Sequence, residues 1–495
     1  MPHRLLSASA ALLLLGGCSL IPEIELPESP VEGLWPSGPA YQATAANAPL
    51  DPGQPSLADL GWREFFRSPE LRALIERALD NNRDLRVAAL DVERARALYR
   101  ISRSELLPQV EAGAGFTRQR TAEDFSQTAG SRTNSRFEAN VGTTAFELDL
   151  FGRIRSLNEE ALQQYFATEE ARRSTRIALI AEVANAYLAL LADRELLALT
   201  EATLKAQQQS YDLTSARVGQ GLGSQLDVAQ ARTAVETARA NRSLYTRLVA
   251  QDRNALELLV GAPLPDDFGA AAPPVTTADF VTDVPPGLPS SLLLRRPDVR
   301  RAERELLAAN ANIGAARAAF WPTISLTASG GLASGELGQL FQAGSGAWLF
   351  SPSVSLPIFD AGRREADLEG ARIEREIAVA QYEQSIQAGF REVADALAAR
   401  GTLDDQIAAQ RDLVGATQES YDLSLLRYDQ GLDNFLTTLD SQRELYQAQQ
   451  DLIALERQRL ANLATLYKAL GGGTGATSAE VVAGLDRPRA LPTLD

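Results

Sequence analysis

Ile177-Ala178-Leu179-Ile180-Ala181-Glu182-Val183-Ala184-Asn185-Ala186-Tyr187-Leu188-Ala189-Leu190-Leu191 sits near the middle of residues 153–218, a stretch without a single proline. Ile177, Ile180, Ala184, Tyr187 and Leu191 recur at spacings of three and four, which makes one apolar stripe on a helix. At about 1.5 Å per residue such a helix would run roughly 100 Å. A globular core has no use for that length, whereas a long narrow stripe is the seam of a coiled coil. Residues 363–430 form a second proline-free stretch of the same kind.

The two stretches belong to an internal duplication. Asp84-Leu85-Arg86 matches Asp298-Val299-Arg300, and Leu107-Pro108 matches Trp321-Pro322, both at an offset of 214. Further on the offset is 210: Gly152-Arg153 matches Gly362-Arg363, Ser210-Tyr211-Asp212-Leu213 matches Ser420-Tyr421-Asp422-Leu423, and Gln220-Gly221-Leu222 matches Gln430-Gly431-Leu432. The register changes only across a segment that reads as a hairpin. The chain therefore consists of two homologous halves, residues 61–270 and 271–473.

Each half predicts a helix, a strand–turn–strand, a very long helix, a tight turn and a return helix. An opening helix is expected behind Ser68 as N-cap, with Pro69 in the first helical position. The next starts near Asp84 in the first half and covers 298–321 in the second, stopped by Pro108 or Pro322. The hairpins are placed at 108–150 (strands 108–118 and 136–150) and 322–358 (strands 322–333 and 346–358). Ile324, Leu326 and Ala328 alternate with Ser325, Thr327 and Ser329, as in a strand with one face in lipid. Phe116, Phe146, Phe151, Trp321, Trp348, Phe350 and Phe359 fall near strand ends, where an aromatic girdle would sit. The long helices are set at 153–218 and 363–430, and the return helices at 224–260 and 434–470. Between them Gly219, Gly221, Gly223 and Gly431 supply the positive φ that reverses the chain.

Two hairpins give four strands, while a closed barrel in lipid needs about eight or more. An open edge in hydrocarbon leaves backbone polar groups unpaired. Oligomerisation follows from that count, with a trimer supplying twelve strands.

Composition narrows the function. Of 495 residues, 64 are acidic and 48 basic, a net charge of −16, which argues against a nucleic-acid partner. The only Met, His and Cys are Met1, His3 and Cys18. Arg4 and the apolar run from Ala8 to Leu15 read as a secretory leader over residues 1–17, too short for a permanent membrane helix. Leu15-Gly16-Gly17-Cys18 resembles the bacterial lipobox, which implies cleavage before Cys18 and a covalent lipid, diacylglycerol and fatty acyl, upon it. The processed chain then has no His and no free thiol. Ser–His–Asp and Cys–His catalysis and His- or Cys-based metal sites are thereby excluded. A carboxylate pair is the one acid–base route left, none stands at a recognisable spacing, and neither an enzyme, a metal nor any other cofactor is expected. Residues 18–60, rich in Pro, Ala and Gly, read as a lipidated tether, and 474–495 as a tail. No later run of eighteen apolar residues occurs, so an integral membrane part is expected from strands.

With the lipobox, the duplicated plan, Leu294-Arg295-Arg296-Pro297-Asp298 at the second repeat and the Gly-rich tips, the chain resembles the TolC-type outer-membrane efflux proteins. Its branch is the lipoprotein one that includes OprM- and NodT-like channels, and the resemblance runs from Cys18 to about Gly473. It implies a mainly α fold with β: a homotrimer with one shared twelve-stranded β-barrel in the outer membrane and a long α-helical barrel in the periplasm. It further implies that the tips meet a periplasmic adaptor, or membrane fusion protein, joined to an inner-membrane efflux pump. Drugs or other small amphiphiles would pass through passively. At Asn434 to Arg443 the resemblance implies a gate: Leu436 as apolar plug, Asp440 in an acidic ring, Arg443 holding neighbouring helices, and Asp227 as the opposing charge. The plain alternative is a seam leucine and solvated coiled-coil charges. A structural periplasmic coiled-coil lipoprotein without a pore shares the leader and long helices, but leaves the alternating hairpins unexplained.

Overall fold

A computed structural model describes residues 19–44, 60–120, 122, 133–221, 223–266, 268, 276–281 and 290–472. Cys18 with its leader, most of the polar loop from Thr121 to Thr133, and the tail at 474–495 lie outside the described residues. The principal elements run α1 (Pro69–Asn81), α2 (Arg83–Ser104), β1 (Glu111–Arg120), β2 (Thr133–Glu147), α3 (Arg153–Gly219), α4 (Gln225–Val260), α5 (Pro297–Ala318), β3 (Thr323–Ser334), β4 (Gly346–Ser355), α6 (Arg363–Asp429) and α7 (Phe435–Ala469). The long helices α3 and α6 have 67 residues each. Each follows a glycine in the left-handed region, Gly152 at φ 78° and Gly362 at φ 86°, which turns the chain out of the strand.

The boundaries differ from the sequence reading where backbone chemistry intervenes. The helix expected to reach 321 ends at Ala318, because residues ahead of Pro322 are pushed out of the α region. Its last turn tightens, with Trp321 N donating to Ala318 O at 3.0 Å. β1 begins at Glu111 rather than 108, past Pro108, which has no N–H to give a ladder. Among the described residues, composition also picks out one helix, α3, as long and apolar enough to cross a membrane. Of its apolar window 56% is buried inside the chain, as befits a core helix.

The chain forms two compact units. One contains the described residues among 19–28, 90–169 and 301–383. Its sheet is wholly antiparallel in the order β1-β2-β3-β4, so β2 and β3 join the two halves. In the same unit the α5 residue Arg304 reaches Gln163 of α3 at 3.2 Å and lies over the Phe166 ring. Ala308, Ala311, Ile313, Ala315 and Ala318 of α5 are all buried. Leu20 to Pro22, part of the expected tether, lie along α5. Asn310 Nδ2 donates to Pro22 O at 2.8 Å, and Arg317 Nη1 donates to Leu20 O at 3.3 Å. Gly314 makes room between them: a Cβ there would stand 2.6 Å from Ile21 Cγ1.

The other unit contains the described residues among 29–89, 170–300 and 384–472. Its core collects Leu71, Leu74 and Ile75 of α1, Ile180, Val183 and Leu190 of α3, and Leu463, Leu466 and Tyr467 of α7. Phe66 and Phe280, equivalent residues at the offset of 214, pair directly in an isolated antiparallel bridge at its centre. Trp35 stacks on Phe390 at 5.0 Å, and Ala40 O passes so close to Gly401 that a Cβ there would stand 2.0 Å away.

Equivalent contacts tie the start of each half to its return helix. Asn82 Nδ2 donates to Leu259 O at 2.9 Å, and Arg296, its counterpart, donates from Nη1 to Ala469 O at 2.7 Å. Arg296 also binds Asp298 and Glu392, each at 2.7 Å. Burial alone would raise the Asp298 carboxyl, but the hydrogen bond and charge of Arg296 outweigh it and hold the group below the ordinary carboxylate range. That contribution is therefore complete above about pH 4 and is lost only as pH falls through the lowered value.

Arg296→Met, which strands two carboxylates and a carbonyl, is expected to destabilise the fold by about 3–5 kcal/mol. Asn82→Ala, which removes both the bond to Leu259 O and the cap that Asn82 Oδ1 gives Leu85 N, should cost about 2 kcal/mol. Denaturant unfolding followed by circular dichroism at pH 7 checks both values and their order.

Candidate functional site

Residues opposite each other in an antiparallel ladder share a face of the sheet. The register therefore sorts the two faces. Ile324, Leu326, Ala328 and Gly330 stand opposite Val354, Pro352, Phe350 and Trp348. Across the next ladder Val141 and Ala139 stand opposite Gly330 and Leu332, and Ala112, Ala114 and Phe116 complete the same face on β1. That face is apolar from edge to edge and unburied within the chain, with Trp348 82% exposed.

The other face is polar. Ser325 and Ser353 touch at 2.8 Å between hydroxyls, Thr327 faces Ser351, and Asn140 and Glu138 face Gly113 and Gly115. Arg136 pairs with Glu138 on this face at 3.0 Å. Glycines concentrate here because neighbouring backbone comes close: a Cβ on Gly142 would stand 2.3 Å from Ala328 O, and one on Gly331 2.1 Å from Ala139 O. A bulge between Thr143 and Phe146 restores the alternation, with Ala145 at φ 52° and its N–H donated to Thr327 Oγ1. Aromatic residues gather at both ends. Phe116 stacks on Phe137 at 4.5 Å toward the loops, and Phe151 stacks on Trp321 at 5.1 Å toward the helices. Phe137 pairs within the first hairpin and is not among the girdle aromatics expected from the sequence, whereas the β2–β3 order lies across the two halves and is invisible to a pattern read one hairpin at a time.

β1 and β4 each pair on one side only. The sheet is thus amphipathic and open at both edges, which suits a wall between lipid and water once another chain covers those edges.

The turns joining the long helices to their return helices are built alike. Gly221 at φ 79° and Gly431 at φ 75° occupy equivalent positions, and Gly223 adds a third left-handed residue at φ 146°. Gly219 is instead the last residue of α3. Ser224 caps α4 in a reciprocal box with Asp227: Asp227 N donates to Ser224 Oγ, and Ser224 N donates to Asp227 Oδ2 at 3.1 Å. Asn434 caps α7 by accepting from Thr437 N at 3.1 Å. Arg427 grips Asp433 with two bonds, 2.6 and 3.0 Å, which holds that carboxyl below its usual range. Phe435 and Leu439 are buried with Ala231 and Ala234, and Arg217 lies over the Tyr428 ring at 4.9 Å.

Of the four proposed gate residues, the structure brings together only Asp440 and Arg443, which pair at 3.2 Å on the same helix. Asp227 is engaged by its own helix cap. Leu436 is 42% exposed, turned away from the Phe435 and Leu439 pocket.

The chain matches the family model described as outer membrane efflux protein over residues 74–262 and 288–472. It is 52% identical to two proteins of Pseudomonas putida, the antibiotic efflux pump outer membrane protein ArpC and the toluene efflux pump outer membrane protein TtgC. In both cases the match covers 96% of each chain. Its fold is similar to the open-state crystal structure of the Neisseria gonorrhoeae MtrE outer membrane channel, with a TM-score of 0.81 at 38% identity, covering 92% of this chain and 99% of that one.

Phe350 and Ser351 are neighbours on opposite faces. Phe350→Arg is expected to cost about 2–4 kcal/mol of stability in a bilayer, while Ser351→Arg should cost well under half as much. Urea unfolding in lipid vesicles measures the difference, and equal losses would mean that the apolar face does not meet lipid.

Proposed function

The chain belongs to the outer membrane efflux protein family, and on that premise we propose how single copies become a duct. It is an outer-membrane channel of an efflux system. Its working form in this reading is a homotrimer with a shared twelve-stranded barrel. The observation that carries the reading is an asymmetry between the halves. The buried α5 residues Ala308, Ala311, Ile313, Ala315 and Ala318 correspond to Arg94, Ala97, Tyr99, Ile101 and Ser104 of α2, none of which is buried. A neighbour's α6 would cover α2 as α3 covers α5 within the chain. On α6 the exposed Ala366, Gly370, Ile373, Ile377 and Ala380 offer a stripe with alternating spacings of four and three. In an all-antiparallel sheet of four strands, β1 and β4 run in opposite senses, so β4 of one copy meets β1 of the next without breaking the pattern.

The chain acts as a passive conduit, without catalysis. Relatives named for antibiotic and for toluene efflux support small amphiphiles as cargo. The glycine turns at Gly219, Gly221, Gly223 and Gly431 face a periplasmic adaptor, through which an inner-membrane pump supplies the energy. A lipid on Cys18 adds an anchor at the outer membrane, secondary to the barrel. In the trimer Leu436 narrows the periplasmic end, Asp440 contributes to an acidic ring that attracts cations, and Arg443 and Asp227 hold neighbouring helices together.

Ile101→Glu is expected to leave a monomer in detergent by light scattering and to abolish conductance in planar bilayers. A trimer of unchanged stability would remove α2 from the interface. Leu436→Ala combined with Arg443→Ala is expected to raise single-channel conductance, and an unchanged value would leave the gate without support.

A further inference from the structure

The two halves differ most tellingly around a cleft formed by α1, α2 and α3. It has a volume of about 570 Å³ and is lined by Arg63, Arg83, Arg86, Arg172 and Arg176, with Glu76 and Asp80 the only carboxylates among the described residues that line it. Arg63 binds Glu76 at 2.7 Å. Among the described residues Arg83, Arg86 and Arg176 make no ion pair or side-chain hydrogen bond. A chain in which acidic residues outnumber basic ones thus sets five guanidiniums against two carboxylates around one space.

The fold does not require this. Arg172 and Arg176 of α3 correspond to Tyr382 and Ile386 of α6, which are 4% and 1% exposed. The second half fills those positions with buried side chains. Likewise Asn82, which lines the cleft, stands where the second half has Arg296, the longer side chain that binds Asp298 and Glu392. The first half is thus more positive at positions 172 and 176, and emptier at position 82.

We propose that the cleft binds a small polyanion, a molecule carrying two or more carboxylate or phosphate groups on one scaffold. Guanidinium forks pair with such groups through two parallel bonds. Here they come from the segment before α1, from α2 and from α3, so separate anionic groups of one ligand can each find a partner. The volume suits a small organic molecule rather than a single ion. Neighbouring cations repel one another until an anion is shared between them.

The test is calorimetric titration of the full-length chain in detergent at low ionic strength, with citrate and separately with pyrophosphate. Saturable binding of one ligand per chain is expected, weakening as salt is added. Citrate alone saturating assigns carboxylate ligands, and pyrophosphate alone assigns phosphate ligands. Arg83→Gln with Arg86→Gln, both exposed, should weaken binding at least about tenfold, the loss of one good charge-assisted contact. Arg172→Tyr with Arg176→Ile, which installs the residues of the second half, should abolish it. Melting curves show which variants are folded, and the Arg83, Arg86 pair decides the matter if the other does not fold. No saturable binding by the unaltered chain, or equal affinity in folded Arg83→Gln/Arg86→Gln, overturns the site.

Discussion

A strand edge that meets hydrocarbon leaves its N–H and C=O groups without partners, and this sheet has two such edges. One face is apolar across all four strands and the other carries serine, threonine and carboxylates. Neither arrangement is stable for an isolated chain in lipid. The rest of the molecule can be understood as the apparatus that brings further copies into register, because only closure satisfies the edges and gives the polar face an aqueous interior. Gly142 and Gly331 on the polar face belong to the same constraint: they let adjacent strands approach where a side chain would collide with backbone.

The duplication supplies that register economically. Two equivalent phenylalanines, Phe66 and Phe280, pair at the junction of the halves, and equivalent polar side chains, Asn82 and Arg296, each seize the last carbonyls of a return helix. The halves then diverge where their surroundings differ. α5 is covered by α3 of its own chain, whereas the matching positions of α2 are bare. A pseudo-repeat that is buried once and exposed once in a single copy is the signature of a ring in which the alternate contacts are made between copies.

Much of this was legible in the sequence. Proline-free stretches with glycine at both ends marked the long helices to within a residue, because proline and glycine act on backbone geometry alone. Ser68 and Pro69 marked the start of α1 for the same reason. The β2–β3 ladder was not legible, since it joins segments almost two hundred residues apart and no local pattern specifies it. The bulge at Ala145 escaped as well, being enforced by a hydroxyl on another strand. Of the residues grouped as a gate by resemblance only Asp440 and Arg443 pair in a single chain, with Asp227 occupied by a cap that Ser224 alone could have announced. The arginine cleft could have been found by comparing the halves position by position, where Arg172 and Arg176 align with Tyr382 and Ile386.

The seat of the N-terminal segment on α5 carries a consequence for the order of events. The bonds from Asn310 to Pro22 and from Arg317 to Leu20 close loops of 288 and 297 residues. Contacts so distant along the chain form late, because the loop they close must first be ordered. Leu20 to Pro22 are therefore among the last residues to lock, and Gly314 keeps their berth open while the intervening helices and strands assemble. Leu20 to Pro22 act as a latch upon a finished body.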